Sequence, residues 1–287
     1  MTLRAPAWGW SALLGAATAA SFGSLPVQLA FAIVAIGMVG MAHGASDLAI
    51  VPNERHAVFL VLYGLVATVC LLWWLAEPAV ALPAFLIASA IHFGLEDAPG
   101  GTVIEKIARG ASLVATPAAL HSVALADILR LGGISPQTLP AIVGTMVVVG
   151  AVTAGGLMFV AFAHGDRRLL AGTTALLILP PLIGFSVGFL ILHAVPQTDE
   201  RRRQLGCADY RAYLRATWPI LLAAVMLAGL VGVLLLRRDP SGVRSLFAAI
   251  AALAMPHLLV TPWFDRRAAS AVRSRATVPI ADRLGAS

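Results

Sequence analysis

The chain has 287 residues, of which 59% are hydrophobic and only 12% are charged, and its mean hydropathy is +0.88. Soluble domains carry about 25% charged residues, so this composition excludes a soluble globular protein. The net charge of +6 comes mainly from arginines in loops and in the carboxyl-terminal tail. Basic loops are expected beside anionic lipid headgroups and do not indicate a nucleic-acid partner.

The apolar segments match the length of about 20 residues that a helix needs to cross the hydrocarbon core of a bilayer. We therefore predict an all-α fold, a polytopic integral membrane helix bundle with about 8–9 transmembrane helices. The predicted spans are Trp8–Phe22, Val27–Ile50, Ala57–Leu75, Ala79–Phe93, Ile104–Val123, Leu139–Ala163, Leu169–Val195, Pro219–Leu236 and Leu246–Val260. Short connections favour one compact domain over residues 1–265. The basic tail over residues 266–287 is expected to be disordered.

Two segments differ from a plain membrane span. Leu169–Val195 contains Pro180 and Pro181, so it forms either one kinked helix or two shorter pieces. Thr198–Arg215 is rich in arginine and is interpreted as an interfacial helix or loop on a headgroup surface.

Four of the seven histidines lie in or at the ends of apolar spans: His43, His92, His193 and His257. A single histidine in a membrane helix commonly forms an interhelical hydrogen bond that serves packing. Ionisable residues within the membrane are costly, and four on four different spans favour a shared functional site.

The sequences around His43 and His92 are variants of one pattern, with a carboxylate four residues later at Asp47 and Glu96. In a regular helix this spacing places both side chains on one face. A carboxylate there, or Asp97, can accept the second ring N–H of a metal-bound histidine. The alternative is that these three acids only cap helix ends.

Two further patterns occur later in the chain. Phe185 and Phe189 precede His193, and Gln197 follows that histidine by four positions. His257 comes directly after a proline, whose ring frees a carbonyl in the preceding turn.

Taken in order, four motifs resemble the Brp/Blh family (bacteriorhodopsin-related protein and Brp-like homologue) of membrane β-carotene 15,15'-dioxygenases, which make retinal for microbial rhodopsins. The motifs are His-Gly-Ala-x-Asp at His43–Asp47, His-Phe-Gly with following acids at His92–Asp97, Pro-Pro-Leu-x-x-Phe before a histidine at Pro180–His193, and Pro-His at Pro256–His257. They cover nearly the whole chain.

The resemblance implies a non-haem iron site, Fe(2+), in which His43, His92 and His193 are catalytic metal ligands. The family has a second histidine four residues after the third ligand, where this chain carries Gln197. Gln197 or a water molecule is therefore expected in the fourth position. The expected outer partners of the ligands are Asp47, Glu96, Asp97 and His257. The residues expected to contact an apolar polyene substrate are Phe93, Phe185, Phe189 and Met255.

The implied reaction adds O2 across the central 15,15' double bond of β-carotene and gives two aldehydes, that is, retinal. The expected location is the bacterial inner membrane as a multi-pass protein, with the lipid bilayer as the source of substrate and a rhodopsin as a possible acceptor of retinal. Because of Gln197, a relative that binds a carotenoid or another apolar ligand with lost or altered cleavage is the first alternative. A b-type haem protein or a proton-coupled carrier is the second.

Overall fold

The structure is a computed structural model that describes residues 7–237 and 239–264, and every regular element in these ranges is helical. The α-helices are α1 (Ala7–Ser21), α2 (Leu25–Ala32), α3 (His56–Ala76), α4 (Pro78–Asp97), α5 (Val103–Gly132), α6 (Leu139–His164), α7 (Arg167–Ile178), α8 (Pro181–Phe189), α9 (Val195–Gln204), α10 (Tyr210–Leu236) and α11 (Val243–Leu259). The tail predicted to be disordered, 266–287, lies outside the described residues.

Eight helical segments of the described chain are long and apolar enough to cross a membrane. This finding confirms the predicted all-α membrane fold. The predicted span Trp8–Phe22 is not among the eight, because α1 has only 15 residues, fewer than the bilayer core requires.

The predicted segment Leu169–Val195 forms two helices. The residue before a proline is driven into an extended conformation, and Leu179 has φ −80° and ψ 153° at the end of α7. Pro181 then occupies the first turn of α8, where its missing N–H has no cost. The helix continues through α9 to Gln204, so the predicted interfacial segment Thr198–Arg215 is divided between the end of α9 and the start of α10.

Two spans depart from α-helical geometry near the candidate residues. After α2 the chain runs through a π-helical stretch, Ile33–Val39, and then through two 3-10 stretches, Gly40–Ala42 and Gly44–Ile50. A further π-helical stretch, Leu190–Ala194, joins α8 to α9. Such irregular turns are often found at functional sites because they reorient side chains and free backbone groups.

The spans differ in how deeply they are buried. In the span formed by α8 and α9, and in the span that contains α11, 61% of the most apolar window is buried, against 11% for the span with α3 and 6% for α10. The first two spans therefore form the centre of the bundle, whereas α3 and α10 are peripheral. Both peripheral helices pack on α11.

Close packing of α4 on α5 depends on two glycines. A Cβ added to Gly94 would collide with the carbonyl oxygen of Lys106, and one added to Gly110 would collide with that of Ala90. Without a Cβ at these two positions, the backbones of the two helices can approach closely. This contact fixes the helix that carries His92.

Candidate metal centre

Four imidazole rings from four different parts of the chain meet in the interior. The ring centroids of His43 and His193 are 5.1 Å apart and those of His43 and His257 are 5.3 Å apart. His92 completes the set, 5.4 Å from His193 and 5.2 Å from His257. We call these four residues the histidine cluster. Each ring is at most 9% exposed.

Three rings of the histidine cluster are oriented by a hydrogen bond from Nδ1. His43 donates to the backbone carbonyl of Gly40 over 2.6 Å, which is possible because the irregular helix leaves that oxygen accessible. His193 donates to Asp97 over 2.9 Å, and His257 donates to Asp47 over 2.6 Å. Each bond fixes the tautomer so that Nε2 is left with a lone pair for a ligand.

In the described part of the chain, the second ring nitrogen of two of these histidines has no hydrogen-bond partner. Nε2 of His193 and Nε2 of His257 are both fully buried and make no hydrogen bond within the described residues. A buried polar atom without a partner costs about 1–3 kcal/mol, so its occurrence requires an explanation. Two such atoms in one cluster of imidazoles fit a bound transition metal, for which imidazole is a favoured ligand.

Glu96 lies beside His92 in this cluster. Its Oε2 is 3.4 Å from Nε2 of His92 and 3.9 Å from Nε2 of His193. Ligand atoms from these three residues all lie within 4.8 Å of one another, a spacing at which one ion could be held. The site therefore offers a carboxylate together with imidazoles.

The predicted site residues take positions that only partly follow the sequence patterns. His43, His92 and His193 come together as expected, and Asp97 accepts from His193. Asp47 pairs with His257 rather than with His43. In a 3-10 helix each residue turns by about 120°, so side chains four positions apart no longer share a face.

His257, expected from the family resemblance to be an outer partner of the ligands, is the fourth member of the cluster. Gln197, the expected fourth ligand, instead donates its amide N–H to the backbone carbonyl of Glu96 over 3.1 Å. Gln197 does not line the cavity next to the cluster.

Three supporting residues escaped the sequence patterns. The hydroxyl of Thr261 donates to Asp47 over 2.8 Å, so this carboxylate is held twice. The buried Tyr213 donates to the carbonyl of Ala42 over 2.7 Å, and Ser46 donates to the carbonyl of His43 over 2.6 Å. Thr261 follows His257 by four residues, a spacing that could have indicated it. Tyr213 lies 171 residues from its acceptor, and no local pattern reveals it.

An apolar cavity of about 410 Å³ adjoins the histidine cluster, and all four histidines of the cluster line this cavity. Phe93, Phe185 and Phe189, three of the residues predicted to contact an apolar substrate, also line the cavity. Phe93 and Phe189 pack against the ring of His193, with centroid distances of 4.7 and 5.3 Å. Met255 lies elsewhere, in the apolar cluster around Trp74.

The geometry does not favour the haem alternative. Axial ligation of haem by two histidines requires opposed imidazoles with a flat space for the porphyrin between them. Here four rings surround one point, with adjacent centroids 5.1 to 5.4 Å apart. This arrangement suits a single ion rather than a planar macrocycle.

Comparison with known proteins gives one informative match. Neither the curated proteins nor the solved structures contain a significant match to this chain. The profile of the family described as beta-carotene 15,15'-dioxygenase matches residues 34–265. This range includes the whole histidine cluster and the acidic residues beside it, Asp47, Glu96 and Asp97. The chain is therefore a multi-pass membrane protein that belongs to the beta-carotene 15,15'-dioxygenase family.

Proposed function

We propose that the protein is an iron-dependent membrane dioxygenase that cleaves β-carotene at its central 15,15' double bond and releases retinal. The observation that carries this proposal is the histidine cluster with two unpartnered Nε2 atoms at the edge of an apolar cavity. Family membership supports the carotenoid and dioxygenase chemistry in general. The proposed location is the bacterial inner membrane, where the product could pass to a rhodopsin.

His43, His92, His193 and His257 are proposed to hold the iron, with His257 as the fourth ligand in place of Gln197, which the family resemblance suggested. Iron held there would supply the electron chemistry that O2 needs to react with a closed-shell alkene. The overall reaction balances without another reductant, because one C=C bond and one O2 molecule become two C=O groups.

The protein's own residues are proposed to orient the ligands and to keep water out. Asp97 and Asp47 hold the Nδ1–H of His193 and His257, and the Gly40 carbonyl holds that of His43. Phe93 and Phe189 cover the His193 ring and leave an apolar surface against which a polyene chain can lie. These side chains would position a double bond beside the metal and limit hydrolytic side reactions.

The substrate is proposed to enter from the lipid, between α3 and α10. Leu60 of α3 and Leu227 of α10 line the cavity, yet they are 52% and 47% exposed on the outer surface. Gly64 and Ala223 also line the cavity and are exposed. Such residues mark an opening towards the bilayer, which is where a carotenoid dissolves.

The proposal is tested by expressing the full chain in a host that accumulates β-carotene. The wild type should bleach the pigment and yield retinal, and the purified protein should contain close to one iron per chain. His193→Ala should keep the colour. His164→Ala is the matched control, because His164 is exposed and, among the described residues, bonds to a carbonyl of its own helix; it should bleach normally.

Persistent colour with folded, iron-containing protein would contradict central cleavage of β-carotene. In that case the second candidate, a family member that binds a carotenoid or accepts another polyene, is tested by the pigment retained on the purified protein. The specific observation that favours this candidate is Gln197, which makes a backbone contact where the resemblance implies an imidazole.

A further inference from the structure

The three carboxyl groups at the centre stand in different relations to the imidazoles. Asp47 and Asp97 lie on the Nδ1 side of His257 and His193, since each accepts a hydrogen bond from an Nδ1–H. Glu96 lies on the Nε2 side, because its Oε2 is nearest to the Nε2 atoms of His92 and His193. His193 presents Nδ1 to Asp97 on one side, so Glu96 approaches the edge on which a metal would bind.

The distances distinguish a hydrogen bond from a shared ligand. An N–H···O bond has its donor and acceptor about 2.7–3.2 Å apart, and the 3.4 Å between Glu96 Oε2 and His92 Nε2 is longer. Two ligand atoms each about 2.1 Å from one ion are about 3.0 Å apart at a right angle and about 4.2 Å apart when opposed. The observed separations of 3.4 and 3.9 Å fall within this interval.

From this geometry we propose that Glu96 is a direct carboxylate ligand of the metal and that Gln197 is the positioning residue for the turn that carries it. The inference rests on the proposed function, in which the histidine cluster holds iron. It adds a fifth protein ligand to the four imidazoles. Five protein donors would leave room for O2 or another small ligand on an ion that accepts six donors.

Gln197 acts on the backbone rather than on the metal. The last four carbonyls of a helix have no intrahelical donor, and α4 ends at Asp97. The Gln197 amide donates to one of these carbonyls, that of Glu96, over 3.1 Å. It therefore ties the last turn of α4 to α9, directly after the π-helical stretch that carries His193.

Electrostatics also favours a bound cation beside the Glu96 carboxylate. The Glu96 side chain is only 25% exposed, and Asp97 beside it is 3% exposed. Acidic groups within a membrane protein are costly unless they meet a partner. A divalent cation is the strongest local partner available to such a group.

The test uses the full-length protein in detergent, freed of metal and reloaded with Co(II) as a spectroscopic probe. Co(II) affinity is measured by competition with a chelator, and the ligand-field absorption bands report the number and type of ligands. Glu96→Gln should weaken binding by at least about tenfold and change the band pattern. Asp97→Asn removes an outer partner, so it should weaken binding about 10–100-fold and keep the wild-type pattern.

Glu105→Gln is the matched control, since Glu105 is a partly exposed partner of Arg109 on α5; its affinity and spectrum should equal those of the wild type. A wild-type spectrum for folded Glu96→Gln would overturn the assignment of Glu96. If that variant does not fold, Glu96→His replaces it, because histidine offers a ligand of similar reach: a changed band pattern supports the assignment and an unchanged one overturns it.

Gln197 is tested with two variants. Gln197→Met removes the donor, and we expect Co(II) binding at least about tenfold weaker with the wild-type band pattern. Gln197→His keeps an N–H donor, so its Co(II) affinity should be close to that of the wild type and its absorption bands should be unchanged. New imidazole bands in Gln197→His, or undiminished affinity in Gln197→Met, would overturn its positioning role. If the wild type itself binds neither iron nor Co(II), the proposed function fails, an outcome separate from a defect confined to the variants.

Discussion

Asp97 accepts the Nδ1–H of His193 over 2.9 Å although the two residues are 96 positions apart in the chain. Both side chains are almost completely buried, at 3% and 1% exposure. The bond joins the end of α4 to the π-helical stretch after α8, and it fixes which nitrogen of His193 is left for a metal.

Replacing Asp97 with asparagine should therefore weaken metal binding without removing a ligand. An amide can present either an acceptor or a donor to Nδ1, so the tautomer of His193 is no longer fixed. We expect iron affinity to fall about 10–100-fold, as measured by chelator competition. Asp127→Asn, on the exposed part of α5, is the control and should bind iron normally. Equal affinity in both variants would argue against the role given to Asp97.

His257 should be as important as the three histidines that the sequence patterns emphasise. We expect His257→Ala to lose more affinity than the ~10–100-fold typical of an outer partner, with iron nearly absent from the purified protein. Thr261→Val removes only the second hydrogen bond to Asp47 and should lose less. Iron content by elemental analysis measures both. Full iron occupancy in folded His257→Ala would contradict a fourth ligand at this position.

Gly94 should be required to hold His92 in its observed position. In Gly94→Ala the added methyl meets the Lys106 carbonyl, so α4 and α5 must separate. We expect a destabilisation of about 1–3 kcal/mol, typical of overpacking, seen as a lower unfolding temperature in detergent. Gly155→Ala adds the same methyl where nothing lies within 4 Å. Alanine is favoured over glycine in helices, so this control should be neutral or slightly stabilised.

The opening between α3 and α10 should limit access of substrate. A Cβ at Gly64 would meet nothing within 4 Å, so Gly64→Leu should fold and project into the opening. We expect slower β-carotene cleavage with unchanged iron content, because the cluster itself is not touched. Gly144→Leu on α6 is equally open and exposed, and it should cleave at the wild-type rate. Equal rates for both variants would place the access route elsewhere.

The membrane fold could be predicted from the sequence because each span is a continuous apolar segment of the required length. His43, His92 and His193 could be selected because costly side chains in such segments stand out locally. The family resemblance read from four short motifs is confirmed by the match over residues 34–265.

The partners of these residues could not be predicted in the same way. The pairing of Asp47 with His257 depends on a change from α-helical to 3-10 geometry, and the residues of that stretch do not predict this change. The central place of His257 depends on how α11 packs between α3 and α10. These are consequences of tertiary packing, and a helical-wheel argument assumes regular geometry.

The bond between Asp47 and His257 also bears on how the protein is made. The two residues are 210 positions apart, and at about 5–20 residues per second the ribosome needs roughly 10–40 s to synthesise the chain between them. During that time the span with Asp47 has reached the membrane and the histidine that will pair with it does not yet exist. Until the last helix arrives, the span that carries Asp47 holds a costly carboxylate without its histidine. We therefore expect this carboxylate to stay hydrated, or its span to be released into lipid late.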